Sequence, residues 1–477
     1  MSKLFIDGKW VDAVSGETIS VVSPVDGEAF DAIARGRDAD VDAAVSAARR
    51  AHEGAWGRLS ATERGRILTK LAQRIADNTE ELARLEARDT GKPMSTARND
   101  IQVLARYFEF YAGAADKVHG QIIPFLNGYT VSLLREPLGV TAHIIPWNYP
   151  AQMLGRTIAP ALAMGNATVL KPAEDACLST LRVAQLAVEA GLPDGALNVV
   201  TGYGHEAGAA LAGHPGIDFV TFTGSNEVGT LVQQAAARNA VKCVLELGGK
   251  SPQIVFADVD AARAVPTIVK AIVQNTGQTC TAGSRLLVER SIYEKFVGQI
   301  GEAFAAVRVG TPEMDFDCGP VVNRTQFERV NAMVDAAKRG GVPVVSQGQL
   351  ASNLPRGGYF VQPTLFGNVP VRSDLAQKEV FGPVLAAFPF DDEADAIALA
   401  NSTDYGLLAA VWTENGGRQQ RVAKAVRCGQ VFVNCYGAGG GVELPFGGVK
   451  RSGHGREKGF LALEEMSTTK TVVQFHG

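Results

Sequence analysis

Between Thr62 and Thr90 apolar residues recur every three or four positions: Leu68, Leu71, Ile75, Leu82 and Leu85 form one stripe, with Arg and Glu opposite. That period predicts an amphipathic helix, and a second helix is expected over Ser95–Asp116. From Gly139 the pattern changes. Short apolar runs at Val140–Ile145, Ala167–Lys171, Leu197–Val200, Phe219–Phe222 and Val241–Leu245 read as strands, most of them closed by Gly, Pro or Asn. Helical patterns lie between them at Gln152–Met164, Ser179–Ala190, Glu206–Ala212 and Glu227–Ala237. The alternation predicts an α/β fold built on a doubly wound parallel sheet. Ligands of such sheets bind beyond the carboxyl ends of the strands. Five loops of unusual chemistry fall there: Pro146–Pro150, Lys171–Glu174, Gly202–Gly204, Gly224–Ser225 and Glu246–Gly249.

A second α/β run starts near Pro252. Its strands are expected at Gln253–Phe256, Arg285–Val288 and Val431–Val433, with helices at Ala261–Gln274, Tyr293–Ala306 and Gln326–Arg339. The tail Thr468–Gln474 alternates polar and apolar residues. It reads as a strand that could pair with Tyr129–Arg135, an arm suited to subunit contact.

The 477 residues exceed one ordinary hydrophobic core, so two or three domains are expected. Net charge is −4, with the two signs mixed along the chain, which argues against a nucleic-acid stripe or a membrane-seeking basic helix. No apolar run reaches the roughly 18–20 residues of a membrane span, and Met1–Trp10 lacks the apolar core of a signal peptide. A cytoplasmic protein is the expectation. The cysteines Cys177, Cys243, Cys280, Cys318, Cys428 and Cys435 show no CxxC pair, and the seven histidines are scattered. Neither a metal site nor a disulfide framework is expected.

Cys280 differs from the other cysteines. It sits among small polar residues in Asn275–Ser284 (NTGQTCTAGS), where a substrate carbon can approach the sulfur. Glu246 ends a strand and precedes Gly248–Gly249, a setting for a general base, or for a plain ion pair with Lys250. Asn148 lies in a proline-restricted loop and could donate to an oxyanion, or serve only as a turn residue. Phe222–Gly229 (FTGSNEVG) joins a strand end to a helix start, where Ser225 and backbone amides could receive a pyrophosphate. A strict GxGxxG is absent. Lys171 and Glu174 could bracket a ribose, and a carboxylate there favours NAD over NADP.

Taken together, IPWNYP, KPAE, FTGSNEVG, ELGGKSP, GQTC, EVFGPV and PFGGVKRSGHGRE resemble the aldehyde dehydrogenase superfamily in order and spacing over essentially the full length. The resemblance implies Cys280 as nucleophile, Glu246 as general base and Asn148 in the oxyanion hole. It implies Glu379 and Phe381 at the nicotinamide side. Trp147, Lys171, Glu174 and Ser225 would meet adenosine ribose and pyrophosphate, and Ile144, Pro146, Gly204, Phe222, Gly224, Leu247 and Gly248 would line the same cofactor. Glu457 would be a proton-relay partner, or a salt-bridge partner of a nearby Lys or Arg.

The architecture implied is a cofactor domain (1–117 and 138–247), a catalytic domain (248–460) and an oligomerisation arm (118–137 and 461–477), assembled as a homodimer or homotetramer. The activity implied is NAD-dependent oxidation of a small-molecule aldehyde through a thiohemiacetal and a hydrolysed thioester. A non-catalytic binding protein and a cofactor-independent esterase on the same fold are the alternatives. Substrate contacts are expected from Tyr149, Met153, Arg156, Gln274, Thr279, Thr281 and the Tyr436–Val442 loop. Arg156 is similar to the arginine that succinate-semialdehyde dehydrogenases use for the far carboxylate. Gly437, Gly439, Gly440 and Gly441 suggest room for an aromatic aldehyde instead.

Overall fold

The structure is a computed structural model and describes residues 3–437 and 441–477. Residues 38–114 are mainly helical: Asp38–Glu53, Ala61–Asp77, Thr79–Thr90 and Met94–Ala114. The single helix expected over Thr62–Thr90 is two helices. The first opens on a capping box, Ser60 with Glu63. It stops at Asn78, whose Nδ2 donates to the Arg74 carbonyl, while Thr79 Oγ1 donates to that of Ala76. Such short polar side chains compete with the backbone ladder and end it.

The first sheet has the strand order Lys9–Val11, Leu4–Ile6, Leu197–Val199, Ala167–Pro172, Val140–Ile145, Phe219–Thr223, Lys242–Glu246 and Gly453–His454. Its five central strands are parallel. The two central runs are buried at every position, as a sheet covered on both faces requires. Chain order reverses between Val140–Ile145 and Phe219–Thr223, which makes their carboxyl ends the ligand crevice. The helix expected over Glu206–Ala212 begins earlier, as a wide π-helical turn over Gly204–Gly208 followed by one α turn.

The second sheet runs Val344–Gln347, Thr364–Phe366, Val384–Phe390, Arg285–Glu289, Pro252–Val255, Leu408–Trp412 and Gln430–Val433. All but the first are parallel. Only five residues separate the end of Lys242–Glu246 from the start of Pro252–Val255. The carboxyl edge of the first sheet therefore meets the amino edge of the second. Gly453–His454, expected within the second domain, instead closes the first sheet behind Glu246, with Glu246 opposite Gly453.

The tail strand Ser467–Phe475 pairs antiparallel with Tyr129–Pro137, Gln474 opposite Thr130, and Gln121–Ile123 completes a three-stranded sheet. Ile122, Phe125, Leu126, Val473 and Phe475 are exposed on this arm. Among the described residues no helix is long and apolar enough to cross a membrane, and no cluster of metal-ligating side chains occurs.

Candidate active site

Cys280 lies between the helix Ala261–Val273 and the strand Arg285–Glu289, at the amino edge of the second sheet. The loop leaves the helix through Asn275, Thr276 and Gly277, all left-handed, with φ of 48°, 56° and 73°. Gly277 has to be glycine on two counts. A Cβ there would also sit 2.2 Å from the backbone of Gly382, so the loop lies directly on the Glu379–Pro383 segment. Gln278 fixes the far side, its Oε1 accepting from the Val322 amide at 2.9 Å. Half-buried Cys280 packs against Leu407, Leu408 and Phe446, next to Phe432 and Tyr436. Burial pushes its thiol up to about 12, against the lowering effect of the Arg156 guanidinium.

Glu246 is buried, and neither carboxylate oxygen has a hydrogen-bond partner. Burial holds its carboxyl well above the usual range; the nearest relief is Arg156 Nη2, 3.6 Å away. Arg156 itself is buried, its Nε paired with Glu457 and its guanidinium carbon 4.2 Å from the centre of the Phe446 ring. Burial opposes its charge, but Glu457 and Glu246 outweigh that and keep it protonated. The other oxygen of Glu457 accepts from Thr221 Oγ1 at 2.9 Å.

This arrangement corrects the sequence reading of Arg156. Its charge is committed to two buried carboxylates rather than left open for a substrate carboxylate, because the Gly453–His454 strand carries Glu457 against it. Of the two readings of Glu457, the salt bridge is present. Arg156→Leu would strand both carboxylates and is expected to destabilise the fold by about 3–5 kcal/mol in denaturant unfolding. Losing a cation raises the pKa of a neighbouring acid. The acid limb of kcat, if set by Glu246, then moves to higher pH in that variant; an unmoved limb would rule out this coupling.

Asn148 is buried in the loop after Val140–Ile145. Its Nδ2 donates to the Gln278 carbonyl at 2.9 Å, two residues before Cys280, and its Oδ1 has no partner. Half-buried Tyr149 lies near Thr279, whose hydroxyl is 3.0 Å from that of Thr281. Tyr436 OH donates to the Thr281 carbonyl, and Met153 packs its sulfur 3.8 Å from Arg156 Nη1. Gln274 is half-buried where the helix ends. Of the glycine loop, Gly439 and Gly440 lie outside the described residues.

On the other side of the cleft Lys171 Nζ pairs with Glu174 at 2.8 Å. Burial opposes ionisation of Glu174, yet Lys171 and the Gly204 amide hold its carboxyl below the usual range. Ser225 is exposed and caps the helix Asn226–Ala237, its Oγ accepting from the Val228 amide. Phe222, Ile144 and Leu247 are buried beneath this edge, and Pro146 and Gly224 are half-buried on it. Glu379 Oε1 accepts from the Gly249 amide at 2.9 Å, and a Cβ on Gly248 would lie 2.4 Å from its Oε2. Burial pushes the Glu379 carboxyl up to about 7. Phe381 meets Trp147 edge to face at 5.4 Å and holds a positive φ of 59°, secured by Gln326 donating to its carbonyl.

Three residues of the site escape sequence reading: Lys92, Asn275 and Phe446. Lys92 stands in a helix-end segment with no chemical pattern around it, so no local signal marks it. Phe446 and Asn275 lie within chemically distinctive segments, where each reads as packing.

The chain matches the aldehyde dehydrogenase family over residues 10–472. It is 44% identical to aldehyde dehydrogenase 1 of Tanacetum cinerariifolium, over 99% of this chain and 94% of that one. A Burkholderia cenocepacia protein assigned to the aldehyde dehydrogenases superimposes with a TM-score of 0.99 at 59% identity, covering 100% of both chains. The indole-3-acetaldehyde dehydrogenase of P. syringae, solved as a mutant with NAD+ and IAA, superimposes with a TM-score of 0.97 at 41% identity, covering 100% of this chain and 97% of that one.

Proposed function

This chain belongs to the aldehyde dehydrogenase family, and on that premise we propose that it oxidises an aldehyde to a carboxylate with NAD, using Cys280 as nucleophile, Asn148 as oxyanion donor and Glu246 as general base. The observation that carries this reading is a buried carboxylate, Glu246, neither oxygen of which has a hydrogen-bond partner, near enough to the partly exposed Cys280 thiol for its charge to raise that thiol's pKa. The Cys280 sulfur adds to the aldehyde carbon while its proton leaves to a base. Asn148 Nδ2 donates to the oxygen that becomes negative. After oxidation the acyl group stays on sulfur as a thioester. Glu246 then takes a proton from the water that attacks it, releasing the acid and the thiol. Its raised pKa makes it a stronger base than an exposed carboxylate.

NAD fits the carboxyl edge of the first sheet. Gly204 keeps its Cα side open, with no atom within 4 Å of the place a Cβ would take, and Val228 and Leu231 expose 44% and 63% of their surface beside Ser225. Lys171, Glu174, Ser225 and Trp147 would hold the adenosine and pyrophosphate, and Glu379 and Phe381 the nicotinamide end. When bound, the cofactor supplies the hydride acceptor. Glu174 would repel a 2′-phosphate, which supports NAD over NADP.

For the substrate we favour an apolar or aromatic aldehyde, since Cys280, Phe432 and Tyr436 all pack against one apolar cluster of Leu407, Leu408 and Phe446 and Arg156 is already paired. A carboxylated semialdehyde is the second reading, supported by the Lys458 side chain, whose Nζ lies 5.6 Å from the centre of the Phe446 ring. The exposed apolar arm supports a homodimer or homotetramer, and the free cysteines support the cytoplasm. The domain limits 1–117 with 138–247, 248–460, and 118–137 with 461–477 are proposed with one change, Gly453–His454 joining the first unit.

The test is NADH formation by the purified protein with NAD and a panel of arylacetaldehydes, benzaldehydes, aliphatic aldehydes and succinic semialdehyde. Highest kcat/KM for an aromatic aldehyde is expected. Highest kcat/KM for the semialdehyde would overturn the apolar reading. Ester hydrolysis without NADH from any aldehyde would leave only the esterase.

A further inference from the structure

The main-chain carbonyl of Asn148 is held by two donors from distant parts of the chain. Lys92 Nζ reaches it at 3.1 Å and Asn275 Nδ2 at 2.9 Å. The Lys92 side chain has no solvent exposure. Its ammonium also donates to Asp100 Oδ2 at 2.6 Å and Glu86 Oε1 at 3.3 Å, and lies 4.7 Å from the centre of the Tyr149 ring. Those carboxylates in turn tie down the residues after Asn148: Asp100 Oδ1 accepts from Gln152 Nε2 at 2.7 Å, and Glu86 Oε1 from the Ala151 amide at 3.4 Å. Ser179 Oγ donates to the remaining Glu86 oxygen at 2.6 Å. Asn275 meanwhile also donates to the Gln278 carbonyl at 3.2 Å, the acceptor of the Asn148 side chain.

A fully buried ammonium with two carboxylates is a poor way to stabilise a fold, since apolar residues of similar volume often serve as well or better. Its geometry suits a different task. The Asn148 amide is planar and carries two N–H groups. One is spent on the Gln278 carbonyl, so the direction of the other is set once the Asn148 backbone is set. Asn148 Oδ1 has no partner, so nothing else restrains the amide. We propose that Lys92 and Asn275 are positioning residues that fix the Asn148 backbone between the two sheets and so aim its free N–H at the substrate oxygen. Neither touches substrate. This rests on the reading of Asn148 as the oxyanion donor.

The test is a double-mutant cycle in the full-length protein, with Lys92→Met, Lys92→Arg and Asn275→Gly made alone and on Asn148→Ala. Asn275→Gly keeps the left-handed backbone and leaves the buried ions intact, so it carries the test should Lys92→Met not fold. In the parent background we expect kcat to fall about 30-fold or more for Lys92→Met and about 10-fold for Asn275→Gly, roughly the scale of a misaimed oxyanion donor. Lys92→Arg should recover part of the loss. KM for NAD should stay within about 2-fold, and so should the rate of Cys280 alkylation by iodoacetamide, which develops no oxyanion. On Asn148→Ala the same changes should cost less than about 2-fold, because coupled residues do not add. Equal losses in both backgrounds, or alkylation slowed in step with kcat, would overturn the inference. If Asn148→Ala costs activity but neither positioning variant does, the inference fails and the oxyanion reading stands. If Asn148→Ala itself costs nothing, both fail.

Discussion

Cys280→Ala removes aldehyde-dependent NADH formation, by about 10⁴-fold or more on the scale of nucleophile deletions. In the proposed mechanism the sulfur forms the bond to the carbonyl carbon, and alanine offers no substitute. The loss must come without unfolding, and the structure gives the reason it should. Cys280 is half-buried at a loop whose shape is set by Asn275, Gly277 and Gln278, so deleting one sulfur disturbs little packing. Thermal melting and NAD binding should match the parent protein. Cys318→Ala is the control: it is fully buried, its thiol donates to the Val273 carbonyl at 3.3 Å, and burial pushes its pKa far up. It should cost stability and leave turnover intact. NADH formation surviving in Cys280→Ala would refute the nucleophile assignment.

Glu246→Gln has the second largest expected effect, and a different time course. In the proposed mechanism the base is needed when water attacks the thioester, so the steady state should slow about 10²–10⁴-fold, the usual worth of general-base catalysis. The first turnover should survive, giving a burst of NADH equal to the number of active subunits and then a slow phase. Loss of the burst as well would mean that Glu246 acts on the thiol. The pH dependence has a definite sign. Burial raises the Glu246 carboxyl above 4.5, so it becomes a base only at higher pH, and kcat in the parent should fall on acidification through that raised pKa. Glutamine cannot titrate, and the limb should vanish with the mutation.

Much of the site is legible in the sequence because its signals are local. Phe219–Thr223 and Lys242–Glu246 are runs of apolar residues that end in polar or glycine turns, and each strand end carries its own chemistry in four or five residues. The tail strand is readable for the same reason, down to its pairing with the segment from Tyr129. The helix break at Asn78 is less readable. The apolar stripe from Leu68 to Leu85 continues across it, and hydrophobic periodicity reports which face is buried, not where the backbone ladder is interrupted. Strands Thr364–Phe366, Val384–Phe390 and Leu408–Trp412 escape sequence reading, since the first has only three residues and the paired alanines of the other two fit a buried helix as readily as a strand.

Sequence alone determined the α/β class and the edge of the first sheet that carries the distinctive loops, and the resemblance of its motifs pointed to a thiol, a carboxylate and an amide there. Those follow from residue type and from neighbours within a few positions. Only the tertiary structure decided what the buried charges are for. Arg156 reads as a free cation until Glu457, from far along the chain, is brought to its Nε. Lys92 carries no local signal at all until its ammonium is found on the Asn148 carbonyl. The physical reason is that a charge has no use of its own. Its pKa, its cost of burial and its role are set by whichever groups lie within a few ångströms, and in a fold of two facing sheets those groups come from distant segments.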